Sequence, residues 1–393
     1  MIQIPNYVKF ILDTITSNGY EAYIVGGSVR DALCGHTPDD FDVTTNAAPE
    51  TLQRLFDGLC KMILTGLKHG TVTLMCEGNP VEVTTFRTDG DYKDNRHPEN
   101  VTFVKNLDAD LARRDFTINA MAFSPASGLV DLYGGKADLE QKILRCVGDA
   151  DTRFHEDALR ILRALRFAAV LGFDIEKNTA EAIIKNRKLL LNVSAERIRT
   201  ELFKLLCGKD AVRILKIFAD VFFTIVPAWN TKDFESQLLK LSALPKVAPL
   251  RFAALLLPNA NHLDLCNAAI AALKMDKHTA RVIEFSMRHA HEVFSAVDAE
   301  LQRALYRFDE THLRFLLCLQ QNTDALYALD AIIANQRPYR ISDLNICGDD
   351  VAALGYTGEQ IGEVLTSLLM QVIDGKLENK KENLLVSAKN GCV

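Results

Sequence analysis

Apolar and polar positions along this chain follow two periods, and the pattern changes once. Up to about residue 148, helical spacing is interleaved with short runs of period two. Beyond that point the helical period holds alone. Residues 5–18 carry Val8, Ile11, Leu12 and Ile15 at helical spacing and stop at Asn18-Gly19. Ala22–Val25 is a short apolar strand that meets Gly26-Gly27, and Ser28-Val29-Arg30-Asp31 behind the turn starts a helix. Asp40-Phe41-Asp42 leads into a second strand, and Pro49 opens a helix that runs to Phe56. β-rich runs follow at Met62–Leu64, Thr71–Met75 and Val81–Phe86, the last two joined as a hairpin at Gly78-Asn79-Pro80. Residues 87–100 have no apolar period and read as a long polar loop. Leu107–Asp115 reads as a helix that delivers Arg113-Arg114, and 128–147 as a closing hairpin with a short helix.

After Gly148 the pattern predicts one long helix from about Thr152 to Gly172, then helices over Ala180–Lys188, Ser194–Leu206 with a Ser cap, and Ala211–Phe218. Residues 233–335 read as a helical bundle without legible chemistry. Residues 346–385 read as two helices split at Gly355–Gly358 and followed by lysines. The fold class is therefore α+β in the N-terminal part, with a small mixed sheet, and all-α in the rest.

A length of 393 residues suggests two to four domains, and 48% apolar residues are ample for their cores. No run is long and apolar enough to span a bilayer, and the N-terminus lacks a signal-peptide layout, which predicts no membrane partner and a cytoplasmic chain. Nine cysteines stand singly with no C-x-x-C pair, so they read mostly as small buried residues in a reducing compartment. Nine histidines form no H-E-x-x-H, which argues against a zincin. The net charge of −6 does not announce a nucleic-acid partner, which would need a local basic patch.

The chemistry concentrates in Tyr23–Thr45. A Gly-Gly turn before a helix lets backbone N–H groups approach phosphate oxygens, and Arg30, one turn in, can reach the same phosphates. Asp40 and Asp42, two apart, would share one face of a strand and could hold hard cations such as Mg²⁺. Glu82 alternates with Val81 and Val83. It is either a solvent-facing residue or a third carboxylate beside the aspartates, and the motif at 23–45 favours the second. Arg114 is the expected second phosphate clamp. On one continuous helix, Asp157 and Arg160 would be neighbours, with Arg163 and Arg166 curving away. Arginines so close together repel, which suggests a bound polyanion. A carboxylate beside a guanidinium suits cytosine and adenine, each with an amino donor next to a ring-nitrogen acceptor, and rejects uracil and guanine.

The motifs YIVGGSVRDALCGHTPDDFDVTT, VEVTTFRTDGDYKDNRHPENVTF, RRDFTINAMAF and RFHEDALRILRALRFAAVLGF together resemble the class II CCA tRNA nucleotidyltransferases, relatives of poly(A) polymerases and DNA polymerase β. The resemblance implies a polymerase β-like nucleotidyltransferase head (1–148), a neck (149–208), a body (209–295) and a tail (296–393). It implies Mg²⁺ on Asp40 and Asp42, and triphosphate contacts from Gly27, Arg30 and Arg114. It gives base reading to Asp157 and Arg160 with support from Arg163 and Arg166. The polar loop at 87–100 would switch addition from C to A. The implied partners are CTP, ATP and tRNA, held by its acceptor–T arm with the 3′ end at the site. Cys34-Gly35-His36 departs from the family's usual Leu-Gly-Arg. Competing readings are an enzyme adding only CC or only A, a bacterial poly(A) polymerase, and a non-catalytic RNA-binding protein on the same fold.

Overall fold

The computed structural model describes residues 2–64, 66–90 and 101–391, and the chain divides into two compact units, Met1–Pro227 and Ala228–Val393. The first unit begins with helix α1 (Asn6–Ser17), which buries the predicted Val8, Ile11, Leu12 and Ile15. Strand β1 (Ala22–Val25), helix α2 (Gly27–Leu33), strand β2 (Asp42–Thr45) and helix α3 (Pro49–Phe56) follow in the expected order. Strands β3 (Lys61–Ile63), β4 (Thr71–Cys76) and β5 (Asn79–Thr85) complete one side of the sheet. Positive φ angles at Glu77 (52°) and Gly78 (79°) make the β4–β5 hairpin turn. Along β5, Val81, Val83 and Thr85 are buried and Glu82 faces outward, the alternation of a half-buried strand.

The polar stretch at 87–100 is not wholly a loop. Strand β6 (Arg87–Asp89) pairs antiparallel with β7 (Val101–Phe103), and residues 91–100 lie outside those described. Helix α4 (Leu107–Ala112) is shorter than predicted, so Arg113 and Arg114 follow its end. Strands β8 (Met121–Ser124) and β9 (Gly128–Asp131) close the seven-stranded sheet, whose order is β3-β4-β5-β2-β1-β8-β9. Only β2 and β5 run parallel; every other pairing in this sheet is antiparallel. Helix α5 (Gly135–Gln141) leads to β10 (Ile143–Leu144).

The helix predicted over 152–172 is two helices, α6 (Ala150–Glu156) and α7 (Leu159–Leu171). Asp157 breaks them with φ −133° and ψ 103°, an extended backbone. Strand β11 (Asp174–Ile175) pairs with β10, and α8 (Lys177–Asn186) and α9 (Ala195–Leu206) follow. Ser194 stands at the α9 cap position, but its side chain makes no cap hydrogen bond.

Cys60 and Cys76 form a disulfide that ties the residue before β3 to the end of β4. Cys34 and Cys347 are exposed, so the reading of the cysteines as mostly buried singles holds only for some of them. The second unit is helical among its described residues, with Trp229 packed on Phe234 and Phe252. Its C-terminal end holds three helices, Gly348–Ala352, Glu359–Ile373 and Lys381–Lys389, because the lysine-rich stretch is itself helical. No helix of the structure is long and apolar enough to cross a membrane.

Candidate active site

The pairing of β1 with β2 sets Val25 opposite Asp42, which brings the Gly-Gly turn to the end of the sheet where Asp42 stands. The parallel pairing of β2 with β5 sets Glu82 directly beside Asp42. Asp40 precedes the strand rather than lying on it, yet its charge still acts on Asp42. The Asp42 side chain keeps access to solvent while protein packs closely around it, as in a cleft. Its carboxyl is pushed up to about 6, first by desolvation, then by the charges of Glu82 and Asp40, with Arg114 working the other way. Two carboxylates beside it therefore make this end of the sheet a concentration of negative charge. Among the described residues, no group of three or more His, Cys, Asp or Glu is arranged to hold a metal ion, so Glu82 does not complete a ready three-ligand cage.

Gly26 holds φ 72° and ψ −131°, a conformation that residues with a Cβ rarely adopt. A Cβ there would sit 3.2 Å from Arg114 Nη1, and one at Gly27 would sit 3.5 Å from Arg30 Nη2. Two guanidiniums thus flank the turn. Arg114 donates through Nη2 to Asp110 (3.2 Å), and its Nε is buried without a hydrogen-bond partner. Burial pulls the Arg114 guanidinium below its usual range against the pull of Asp110 and Asp42. Asp110 is buried on α4 and also accepts from Arg113 Nε, Arg113 Nη2 and Thr44 Oγ1. Burial alone would raise its acid, but the two arginines more than offset it and hold the carboxyl below its usual range. Sequence reasoning missed Asp110, although its placement three and four residues before the arginines was the available signal.

Arg30 is less free than its position suggested. Its Nε and Nη2 donate to Asp31 at 2.8 and 2.9 Å, and its Nη1 donates to Asn119 Oδ1 at 2.8 Å. Asn119 Nδ2 donates to Asp115 at 3.2 Å, and Arg163 grips Asp115 Oδ2 through Nε (2.8 Å) and Nη2 (2.6 Å). A chain of polar groups, buried at Asp115 and Asn119 and partly exposed at its ends, therefore links the turn to α7. Phe167 lies at its centre, with the Arg30, Arg163 and Arg166 guanidinium carbons 5.3, 5.5 and 3.8 Å from its ring centre.

The arginines of α7 do not need an external polyanion. Arg160 Nη1 donates to Glu156 (2.5 Å), Arg163 pairs with Asp115, and Arg166 Nε donates to Glu201 (2.5 Å). Nor do Asp157 and Arg160 form the expected pair, because Asp157 lies in the break between helices. Its Oδ1 accepts from the Leu159 N–H (3.0 Å) and its Oδ2 from Arg197 Nη2 (3.0 Å). Arg160 also donates to the carbonyls of Arg153 and Arg113. Asp115, Asn119, Phe167, Arg197 and Glu201 were given no role from the sequence, because each has a partner distant along the chain, whereas Glu156 meets Arg160 at a local i,i+4 spacing. His36 is exposed.

Residues 22–145 match the family described as "Poly A polymerase head domain", and residues 172–221 match "Probable RNA and SrmB- binding site of polymerase A". Over 388 residues the chain is 37% identical to a CCA-adding enzyme of Bacillus velezensis, covering 95% of each. The chain belongs to the CCA-adding enzyme family. A second member, from Geobacillus kaustophilus, is 37% identical over 95% of this chain and 94% of its own. The fold of this family member superposes on the crystal structure of the Bacillus stearothermophilus CCA-adding enzyme in complex with CTP with a TM-score of 0.81, at 29% identity over 99% of this chain and 98% of that one. The fold is also that of the Thermotoga maritima CCA-adding enzyme complexed with tRNA, at a TM-score of 0.74 and 20% identity over 99% of this chain and 97% of that one.

Proposed function

We propose that this chain adds C, C and A to the 3′ end of tRNA without a template, using CTP and ATP and releasing pyrophosphate. The observation that carries this reading is the match to CCA-adding enzymes over 95% of both chains. The Gly26-Gly27 turn would admit the triphosphate close to the backbone, with Arg30 and Arg114 neutralising it. Asp40 and Asp42 would hold Mg²⁺. They are hard oxygen donors, and a divalent cation would offset both the desolvation and the charges of Glu82 and Asp40 that push Asp42 up to about 6. When bound, such ions supply charge neutralisation at the phosphates and activation of the attacking 3′-hydroxyl. Glu82 would add to the field that draws cations to Asp42.

Asp157 would accept from the amino group of cytosine or adenine, and Arg160 would present a guanidinium to the ring nitrogen. Arg163 and Arg166 would support the nucleotide through the Phe167 cluster. Uracil and guanine would set a carbonyl against the Asp157 carboxylate, a mismatch costing about 1–3 kcal/mol. In this reading the head is 1–148, the neck 149–208, the body 209–295 and the tail 296–393. Body and tail would hold the acceptor–T arm by shape and backbone, in the cytoplasm.

The test is incubation with tRNA lacking its CCA end, Mg²⁺ and each labelled triphosphate in turn. Incorporation of C and then A is expected. Incorporation of U or G, or a long A tail, would reject the reading, and no incorporation would favour a binding protein. Asp42→Ala is expected to abolish transfer while tRNA binding persists.

A further inference from the structure

We propose that Asp110 is a positioning residue for the triphosphate, holding the Arg114 guanidinium at the Gly26-Gly27 turn and away from Asp42. The proposal rests on the reading of Arg114 as a phosphate clamp. Asp110 lies on α4, and its carboxylate is wholly buried. Its Oδ1 accepts from Arg113 Nε (3.0 Å) and Nη2 (2.7 Å), and from the Arg87 N–H at 3.4 Å. Its Oδ2 accepts from Arg114 Nη2 and from Thr44 Oγ1, each at 3.2 Å. Thr44 stands on β2, two residues after Asp42. One carboxylate oxygen thus ties Arg114 to the strand that carries Asp42.

Arg114 is otherwise loosely held. Its bond to Asp110 is its one side-chain hydrogen bond among the described residues. An independent observation concerns its remaining donors. Nε is buried without a partner, and Nη1 lies at the turn, 3.2 Å from where a Cβ on Gly26 would sit. Leaving buried donors unmade is costly, so a guanidinium with spare donors beside a glycine turn is set to receive an anion.

Two carboxylates compete for this cation, because the charge of Asp42 also attracts it. An arginine that closed on Asp42 would be lost to the triphosphate. Asp110 decides the competition, since its second ligand, Thr44, fixes the oxygen that Arg114 meets. Weakening Asp110 is therefore expected to loosen the grip on phosphates and to leave the choice of base alone.

The experiment uses tRNA lacking its CCA end and Mg²⁺. It measures kcat and KM for CTP, ATP, UTP and GTP, and the inhibition constant of inorganic pyrophosphate. Pyrophosphate has neither base nor ribose, so its constant reads the phosphate grip by itself. The parent chain is compared with Asp110→Asn, Arg114→Gln, the two combined, and Thr44→Val, with melting temperatures alongside. Asp110→Asn is expected to raise the KM for CTP and ATP and the pyrophosphate constant together by about tenfold, with kcat and the preference for C and A over U and G near the parent values. Thr44→Val, which removes one anchor of the carboxylate and keeps every charge, is expected to raise them by about two- to fivefold. In the Arg114→Gln background, Asp110→Asn is expected to add nothing. A parental pyrophosphate constant in Asp110→Asn, a loss confined to kcat, or an additive loss in the double variant overturns the proposal. If Asp110→Asn does not fold, Thr44→Val decides alone, and parental constants in it overturn the proposal. If Arg114→Gln leaves the pyrophosphate constant unchanged, the reading of Arg114 as a clamp itself fails. If Arg114→Gln raises that constant and Asp110→Asn does not, only the role of Asp110 fails.

Discussion

Asp42 shows how one residue's environment carries both a cost and a use. Its folded-state acid is pushed up to about 6 from an ordinary 3.8, so in metal-free protein its ionisation opposes folding. The favourable contribution of the protonated form is present below the unfolded pKa and is lost as pH rises through 6. In chelator, Asp42→Asn is therefore expected to melt higher than the parent at pH 7.5, with the difference fading towards pH 4; equal melting temperatures at pH 7.5 would refute this. The buried carboxylate of Asp115 is the opposite case, held below its usual range chiefly by Arg163 against the effect of burial. Arg163→Met leaves that charge without its cation. It should cost about 2–3 kcal/mol in urea unfolding, less than a fully buried pair because a third of Arg163 is exposed. Gly26→Ala would meet both a disfavoured φ and the Arg114 guanidinium, and should raise KM for CTP and ATP about tenfold.

At the scale of elements, the break between α6 and α7 matters most. Asp157 accepts the Leu159 N–H at the start of α7, so it supports the helix as well as facing Arg197. Asp157→Ala is expected to destabilise the fold by about 1 kcal/mol through this lost cap, and Asp157→Asn by less, since the amide oxygen still accepts. Equal losses in the two variants would show that the cap contributes nothing. The Cys60–Cys76 disulfide fastens the edge strand β3 to β4. Its reduction should lower stability by about 2–4 kcal/mol, read as a shift in melting temperature that Cys60→Ser abolishes.

The chain divides into two units, each with hydrophobic clusters of its own residues. One cluster of the first gathers Val25, Leu111 and Ala122 beneath the site, and those of the second gather Leu301 to Ile332 and Leu344 to Ala388. Every candidate site residue lies in Met1–Pro227. A fragment ending at Pro227 is expected to fold and to bind CTP with parental affinity by calorimetry, while losing most of its affinity for tRNA. Loss of CTP binding by a folded fragment would contradict this division of labour.

Sequence alone determined much of this. Periodicity placed the elements from α1 to β5 closely, because apolar alternation and turn residues act within a few positions, but it missed β6 and the break between α6 and α7. The order of Gly-Gly turn, Asp40, Asp42 and the later Arg114 pointed to triphosphate chemistry for the same reason, since each group's chemistry is intrinsic to its side chain. Only the tertiary structure decided the partners. The spacing of Asp157 and Arg160 predicted a pair on one helix, but the chain breaks there and gives Asp157 to Arg197 and Arg160 to Glu156. Arginines that read as mutually repelling are each matched by a carboxylate, two of them from other segments. An ion pair across such distances depends on how helices pack, and linear spacing carries no record of that.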